Sequence, residues 1–195
     1  LSPSSAASDV YKRQQQEQIR RSMRKKIMEK NSNQPLNQAE RYQYLIGLTE
    51  GKQLDADYRA AFYILSSVPE MFEAAAKCVD HEGITFDKIK RLCKGKLEES
   101  QMHLLSLAHN VFAWNSRTSP TPHELSRLGY PWLEVALNAI FISGGNMKVQ
   151  IQKNEKGIPE LLLDVSSYEK TKQFHERFQQ MQNDLDDEFD EEMEQ

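Results

Sequence analysis

The sequence predicts a mainly α protein, an orthogonal bundle of about six helices followed by a β-hairpin and a long amphipathic C-terminal helix. Apolar residues recur at helical spacing through most of residues 39–142. Residues that favour helix starts stand just before several of these segments. After residue 146 the spacing changes to the alternation of β-strands, and near the C-terminus it returns to a helical period.

The first three helices are predicted from apolar spacing and from residues that begin or end helices. The first carries Tyr42, Leu45, Ile46 and Thr49 on one side. It should end at Gly51, because glycine is the usual residue after a helix C-terminus. Asp55 is placed to cap the second helix, "ADYRAAFYILSS". Ser67 and Glu70 have the spacing of a capping box for a third helix, with Pro69 in its first turn.

The later helices of the bundle show the clearest pattern. Thr85 is expected to cap the short segment "FDKIKRLCK". The next helix carries an apolar stripe that should lie on a core, formed by Leu104, Leu107, Ala108, Val111 and Phe112. Thr121 and Glu124 form a second capping box around Pro122. Pro131 begins "PWLEVALNAIFI", which is apolar enough on several sides to be central.

The segments "MKVQIQ" and "IPELLLDV", joined by "KNEKG", predict a β-hairpin. A lone hairpin is marginally stable in water, so it should lie on the bundle or on a partner. Ser166 and Glu169 are expected to cap the final helix. Its apolar residues are spaced four, three and four apart, at Phe174, Phe178, Met181 and Leu185. This narrow seam suits a partner's helix or groove, or equally the chain's own bundle and hairpin.

The chain is predicted to have five parts. They are a leader at 1–14, a basic arm and linker at 15–38, a helical domain at 39–142, a linker and hairpin at 143–166, and an amphipathic helix with an acidic tail at 167–195. The leader segment "SSAASDVYKRQ" lacks the apolar centre of a signal peptide. One choice of codons for it spells a transposon-end sequencing adapter. We therefore expect residues 1–14 to be a translated artefact and the native protein to start near or before Gln15.

The net charge of −4 conceals opposite charges at the two ends of the chain. The basic arm carries Arg20, Arg21, Arg24, Lys25, Lys26 and Lys30. The acidic tail carries Asp184, Asp186, Asp187, Glu188, Asp190, Glu191, Glu192 and Glu194. The six cations could bind nucleic-acid phosphates in a salt-sensitive way, although the arm has no aromatic residue for base stacking. Alternatively, the arm is solvated or pairs with the acidic tail.

The side chains that could carry chemistry do not form a recognisable pattern. The histidines are His81, His103, His109, His123 and His175. Positions 103 and 109 are separated by about 120° around a helix, so they cannot share one ligand face. Lys90 and Arg91 lie near Cys93 and could lower its pKa, but no histidine stands beside it as a base. The sequence therefore predicts no catalytic residue, no metal ligand and no cofactor.

Two further segments bear on class and location. "SGGN", at 143–146, follows a helix and precedes a strand, whereas a phosphate-binding loop runs from a strand to a helix. We therefore interpret it as a flexible linker. The two cysteines, Cys78 and Cys93, lack the spacing of a metal site or a disulfide framework, which fits a reducing cytosol. No apolar run approaches the roughly 18 residues that span a bilayer, so we predict a cytoplasmic protein without a membrane partner.

The segments "YRAAFYIL", "LLSLAHNVF" and "ALNAI" are similar to a family of small helical proteins of unknown function. Members are common in Gram-positive bacteria and in their mobile elements, and the similarity covers about residues 39–142. The resemblance implies a compact α-helical domain and a mobile-element setting. It brings no catalytic residues with it, and the hairpin and acidic helix lie outside the shared region.

These observations favour a non-enzymatic accessory protein, a helical protein-interaction module of a bacterial mobile element. Its protein partner would bind at the seam from Phe174 to Leu185. The alternative is a nucleic-acid-associated protein that uses the basic arm. An enzyme would require a polar pocket that gathers histidines, acids and Cys93 from distant segments.

Overall fold

The computed structural model describes residues 35–49, 52–113, 115–116 and 120–193, with side chains to residue 183. Within these residues the protein is mainly α, as predicted, and contains eight helices and one antiparallel pair of strands. The elements are α1 (Gln38–Gly47), α2 (Ala56–Ser67), α3 (Pro69–Ala75), α4 (Phe86–Cys93), α5 (Glu99–Phe112), α6 (Pro122–Ser126), α7 (Trp132–Ser143), β1 (Lys148–Lys153), β2 (Pro159–Asp164) and α8 (Ser166–Met193).

The contacts between residues divide the chain into two compact units. Among the described residues, the first takes 35–49, 52–53 and 65–97, and the second takes 54–64, 98–113, 115–116 and 120–193. Helix α2 therefore contributes its last turn to the first unit and its earlier turns to the second. The five-part division made from the sequence, with a domain at 39–142, stays a prediction.

The core of the first unit is formed by α1, the end of α2, α3 and α4. Its largest fully buried side chains are Tyr42, Leu45, Leu65, Val68, Met71, Val79 and Ile89. Tyr44 meets Phe72 edge to face with ring centroids 5.5 Å apart. Helix α1 begins with a capping box that the sequence reasoning missed. The Asn37 side chain accepts the N–H of Glu40 at 2.9 Å, and Glu40 accepts the N–H of Asn37 at 3.1 Å.

Arg41 ties α1 to the end of α2 within this unit. Its Nε donates to the carbonyl oxygen of Ser66 at 2.6 Å, and one terminal nitrogen donates to that of Ser67 at 3.3 Å. These carbonyls belong to the last turn of α2, where the helix dipole favours a cation. Burial lowers the pKa of Arg41, and the carboxylates of Glu70 and Glu40 oppose that shift. The guanidinium stays charged because an arginine pKa lies far above neutrality.

The start of α3 differs from the prediction. Its N-cap is Val68 and not Ser67, so the capping box between Ser67 and Glu70 is wrong. Val68 is extended, with φ −112° and ψ 125°, because the ring of Pro69 disfavours a helical conformation in the residue before it. Ser67 remains the last residue of α2. Helix α1 ends at Gly47 with Leu48 as its C-cap, so the predicted helix end at Gly51 is wrong; Gly51 itself lies outside the described residues.

The second unit is built on the apolar stripe of α5, which the structure confirms for Leu104, Leu107 and Ala108, while Val111 and Phe112 are half-buried. Leu104 and Ala108 are fully buried and Leu107 nearly so, and α5 packs on α7. Tyr58 and Phe112 meet edge to face with centroids 4.8 Å apart. Two further hydrogen bonds join α2 and α7: Asn138 donates to the Tyr63 hydroxyl at 3.1 Å, and Ser143 donates to Asp57 at 2.8 Å.

Two of the predicted caps are present in this unit. The Asp55 carboxylate accepts the N–H of Tyr58 at 2.9 Å at the start of α2. At the start of α6, Glu124 donates its N–H to the Thr121 hydroxyl at 3.3 Å, and its carboxylate accepts the N–H of Thr121 at 2.6 Å. Pro122 occupies the first turn, as expected.

The hairpin forms as predicted, with β1 paired antiparallel to β2. Val149 lies opposite Leu163 and Ile151 opposite Leu161, so one face of the hairpin is apolar. Only Val149 among them is buried.

The segment from Ser143 to Asn146 is a helix cap and not a linker without structure. Gly145 has φ +72°, and its N–H donates to the carbonyl of Ile142, while the N–H of Asn146 donates to that of Phe141. This pair of bonds is the Schellman arrangement that ends helices at a left-handed glycine.

The cap of α8 also differs from the prediction. Ser166 is the first helical residue, and its N–H donates to the carboxylate of Asp164 at 2.9 Å. The N–H of Glu169 donates to the carbonyl of Val165. Asp164 therefore takes the capping role assigned to Ser166, because it ends β2 two residues before the helix. The hydrogen bonds from Ser166 hold the pKa of Asp164 below its usual value.

Candidate functional site

Helix α8 is exposed to solvent along nearly all of its described side chains, which end at residue 183. Every side chain from 168 to 183 is exposed. The described contact at its base joins the rings of Tyr168 and Phe141, whose centroids are 5.3 Å apart. Most helices in water are stabilised by an apolar face that packs on a core. The described turns of α8 after Tyr168 instead turn their apolar face to the solvent.

The predicted seam lies on this exposed helix. Phe174 is 67% exposed, Phe178 50% and Met181 63%. The two phenylalanine rings are nearly parallel, at an interplanar angle of 16° and a centroid separation of 6.5 Å. Leu185 falls on the same face by its helical position. We call these four positions the α8 seam.

The exposure of the α8 seam bears on one of the two predictions made for it, and binding to a partner stays a prediction. Packing on the chain's own bundle and hairpin would bury Phe174, Phe178 and Met181, and all three are half or more exposed. That alternative is wrong for these three side chains. These three side chains form an exposed apolar row along α8, and exposed apolar patches commonly mark interaction sites.

Charge divides α8 along its length. Lys170, Lys172 and Arg177 lie in its first half. From Asp184 onward the helix is acidic and has no basic residue. The α8 seam therefore passes from a region of mixed charge into a strongly negative one. Its two ends differ in charge.

A second apolar surface lies on α7 and was missed from the sequence. Leu137 is 52% exposed, Ile140 41% and Phe141 36%. The opposite side of the helix is buried at Val135, Ala136, Ala139 and Ile142. The prediction that α7 is central is therefore correct for one side of the helix only. Because apolar residues occupy most sides of α7, with only Glu134 and Asn138 between them, its pattern did not show which side is covered.

The cysteines are placed as packing residues. Cys93 is fully buried, and its thiol donates to the carbonyl of Glu70 at 3.9 Å. Burial raises the pKa of the Cys93 thiol despite the nearby Lys96, and burial also raises that of Cys78. A nucleophilic cysteine needs the opposite shift, because the thiolate is the reactive form.

The histidines are dispersed. His81, His123 and His175 are exposed, and His103 and His109 are half-buried on α5. His103 lies 4.0 Å from Glu99, one turn earlier on the same helix. In the part of the chain that the structure describes, no group of three or more histidine, cysteine or acidic side chains could hold a metal ion.

The predicted nucleic-acid-binding residues lie outside the described residues. They are Arg20, Arg21, Arg24, Lys25, Lys26 and Lys30. Their role in binding phosphates therefore stays a prediction.

The comparisons with known proteins add no relative. No protein family, curated protein or solved structure matches this chain. Among the described helices, none is both long enough and apolar enough to cross a membrane.

Proposed function

We propose that this protein is a non-enzymatic interaction protein that binds another polypeptide through the α8 seam. The observation that carries the proposal is the exposure of Phe174, Phe178 and Met181 along one face of a 28-residue helix. In this proposal the second unit anchors the helix, and the hairpin and α7 hold its first turn in place.

The energetics support a binding role for the seam. Full burial of a phenylalanine or methionine side chain contributes about 1.5–3 kcal/mol. Each of the three side chains is at least half exposed, so a partner could gain a substantial part of that energy at each. Single exposed apolar residues are ordinary in soluble proteins. Three at successive helical turns form a surface that another helix or a groove can cover.

The non-enzymatic part of the proposal rests on where the reactive side chains lie. Cys93 is buried with a raised thiol pKa. The exposed histidines lie on separate elements, His81 after α3, His123 on α6 and His175 on α8. Each of these positions suits packing or a solvated surface.

The setting of the proposed activity is the bacterial cytosol, in an accessory role for a mobile element. Support for the cytosol comes from Cys78 and Cys93, which are both buried free thiols. Support for the mobile element comes from the family resemblance over residues 39–142.

The test is affinity capture from a bacterial host that carries the gene, with full-length wild-type protein and two double variants as bait. The seam variant is Phe178→Ser with Met181→Ser. The matched control is Gln179→Ser with Asn183→Ser, which adds the same two serines to the opposite face of α8. Circular dichroism checks that both variants keep their helix content.

We expect the wild type and the control to retain the same polypeptides and the seam variant to lose them. A second copy of the chain, expressed with a different tag, counts as one of these polypeptides. If the seam variant retains everything that the wild type retains, the proposed function is wrong.

A further inference from the structure

We propose that the occupant of the α8 seam is a second copy of this chain, bound with its own α8 antiparallel to the first. The inference rests on the proposed function and names its partner. It follows from the spacing of the seam within α8 and from the order of charges beside it.

The seam has the spacing of a short coiled coil. The intervals of four, three and four residues place all four apolar positions at the two core positions of a seven-residue repeat. In an antiparallel pair, Phe174 lies opposite position 185 of the second copy, and Phe178 lies opposite Met181. Each apolar position then meets an apolar one.

The same register uses the whole helix. It places Ser166 opposite position 193 of the second copy, and these residues are the two ends of α8. The seam is therefore centred on the helix, and the two helices overlap from end to end. A seam set towards one end of α8 would leave part of each helix without a partner.

The charges beside the seam favour this orientation. One flank of the seam carries Lys170, Arg177, Asp184 and Glu191, at intervals of seven residues. When two identical helices run in opposite directions, this flank faces its own counterpart. Position 177 then lies near position 184 of the second copy, and position 170 lies near position 191. Both pairs have opposite charges, and the symmetry of the dimer makes each pair occur twice.

A parallel pair would lose these attractions. Each flank position would then face the opposite flank of the second copy, five residues further along, so Arg177 would meet Gln182 and Lys170 would meet His175. The acidic halves of the two helices would also lie side by side, with eight carboxylates in each chain between positions 184 and 194. Charge repulsion would oppose that arrangement.

The dimer is expected to be weak. Beyond the four seam positions, the antiparallel register brings Thr171 opposite Glu188, so the apolar contact is confined to the centre of the helix. A dissociation constant of about micromolar or above corresponds to such a limited contact. The attraction between the flanks should also weaken as salt is added.

The test is sedimentation equilibrium of the full chain across a concentration series. The variants are Arg177→Asp, Asp184→Arg and the double variant that carries both changes. Each single change replaces two attractions in the dimer by two repulsions. The double variant restores both attractions with the charges exchanged. Asn183→Ser, on the opposite face, is the control, and circular dichroism checks the helix content of every variant.

We expect each single variant to weaken the dimer at least about tenfold, which is 1.4 kcal/mol, and the double variant to return close to the wild-type constant. Phe178→Ser should weaken dimerisation by a similar factor. This variant tests the apolar contact without changing any charge. Recovery in the double variant is expected only if the partner is another copy in this register and orientation.

A wild-type chain that is monomeric at every concentration would overturn this inference. So would a dimer that weakens in both single variants and fails to recover in the double variant. Neither result would remove the proposed function if the seam-dependent capture retains a different protein. Loss of both the self-association and the seam-dependent capture would reject the two proposals together.

Discussion

Replacement of Arg41 by methionine is expected to lower the free energy of unfolding by about 2–3 kcal/mol. The guanidinium donates to the carbonyl oxygens of Ser66 and Ser67 at 2.6 and 3.3 Å, and its other terminal nitrogen donates to the carbonyl oxygen of Leu36. Hydrogen bonds from a charged group contribute about 1.5–3 kcal/mol, and the long bond to Ser67 should lie at or below the lower limit. A cation at a helix C-terminus adds about 0.3–1 kcal/mol. The cost of burying the charge offsets part of this sum. Methionine keeps most of the apolar contact area of the arginine stem, so the loss of packing should be small.

The assay is urea unfolding of the full chain followed by circular dichroism. Arg59→Met is the matched control, because its Nε donates to the Leu54 carbonyl at 3.2 Å in an exposed setting. We expect the control to change stability by less than about 0.5 kcal/mol. Equal losses in the two variants, or a loss below about 0.5 kcal/mol for the Arg41 variant, would show that this contact does not stabilise the first unit.

Three further results are expected. Asp164→Ala should lower stability at neutral pH, because the pKa of this carboxyl is depressed in the folded state by its bonds from Ser166. That contribution is present above the unfolded pKa of about 3.9 and is lost as the pH falls through the lower folded pKa. Thermal unfolding of wild type and variant should therefore converge in acid, and a constant difference would contradict this explanation. Leu104→Ala should cost about 2–5 kcal/mol in urea unfolding, since Leu104 is fully buried, and a loss below about 1 kcal/mol would contradict a packed core at this position. Cys78 and Cys93 should react with a thiol reagent far more slowly in the native protein than in urea, and rapid native labelling of both would contradict their burial.

Local patterns in the sequence predicted much of the fold. The apolar stripe at Leu104 and the capping box at Thr121 depend on residues within a few turns of one another. The spacing of those residues was therefore sufficient to predict them. The starts of α3 and α8 were wrong by one or two positions. In both cases a serine and a glutamate have the spacing of a capping box, but a residue next to or near the serine takes the capping role instead. Pro69 imposed the cap at Val68, and the end of β2 brought Asp164 to the start of α8.

The candidate site was predictable in spacing but not in burial. The interval from Phe174 to Leu185 indicates an apolar seam in any context. Whether such a seam is buried depends on where elements distant in the sequence pack. The sequence of a single helix does not contain that information. The apolar side of α7 at Leu137 shows the same limit, because a helix with apolar residues on most of its sides does not indicate which side is buried.

The turn of the hairpin offers a place to attach a probe. The Asn154 side chain accepts the N–H groups of Lys156 and Ile158, both at 3.0 Å, and Gly157 supplies the left-handed conformation at φ +74°. The side chains of Glu155 and Lys156 are exposed at the tip. A fluorophore attached at position 155 should therefore leave the folded structure intact. Because position 155 lies outside α8, the label would not alter the α8 seam.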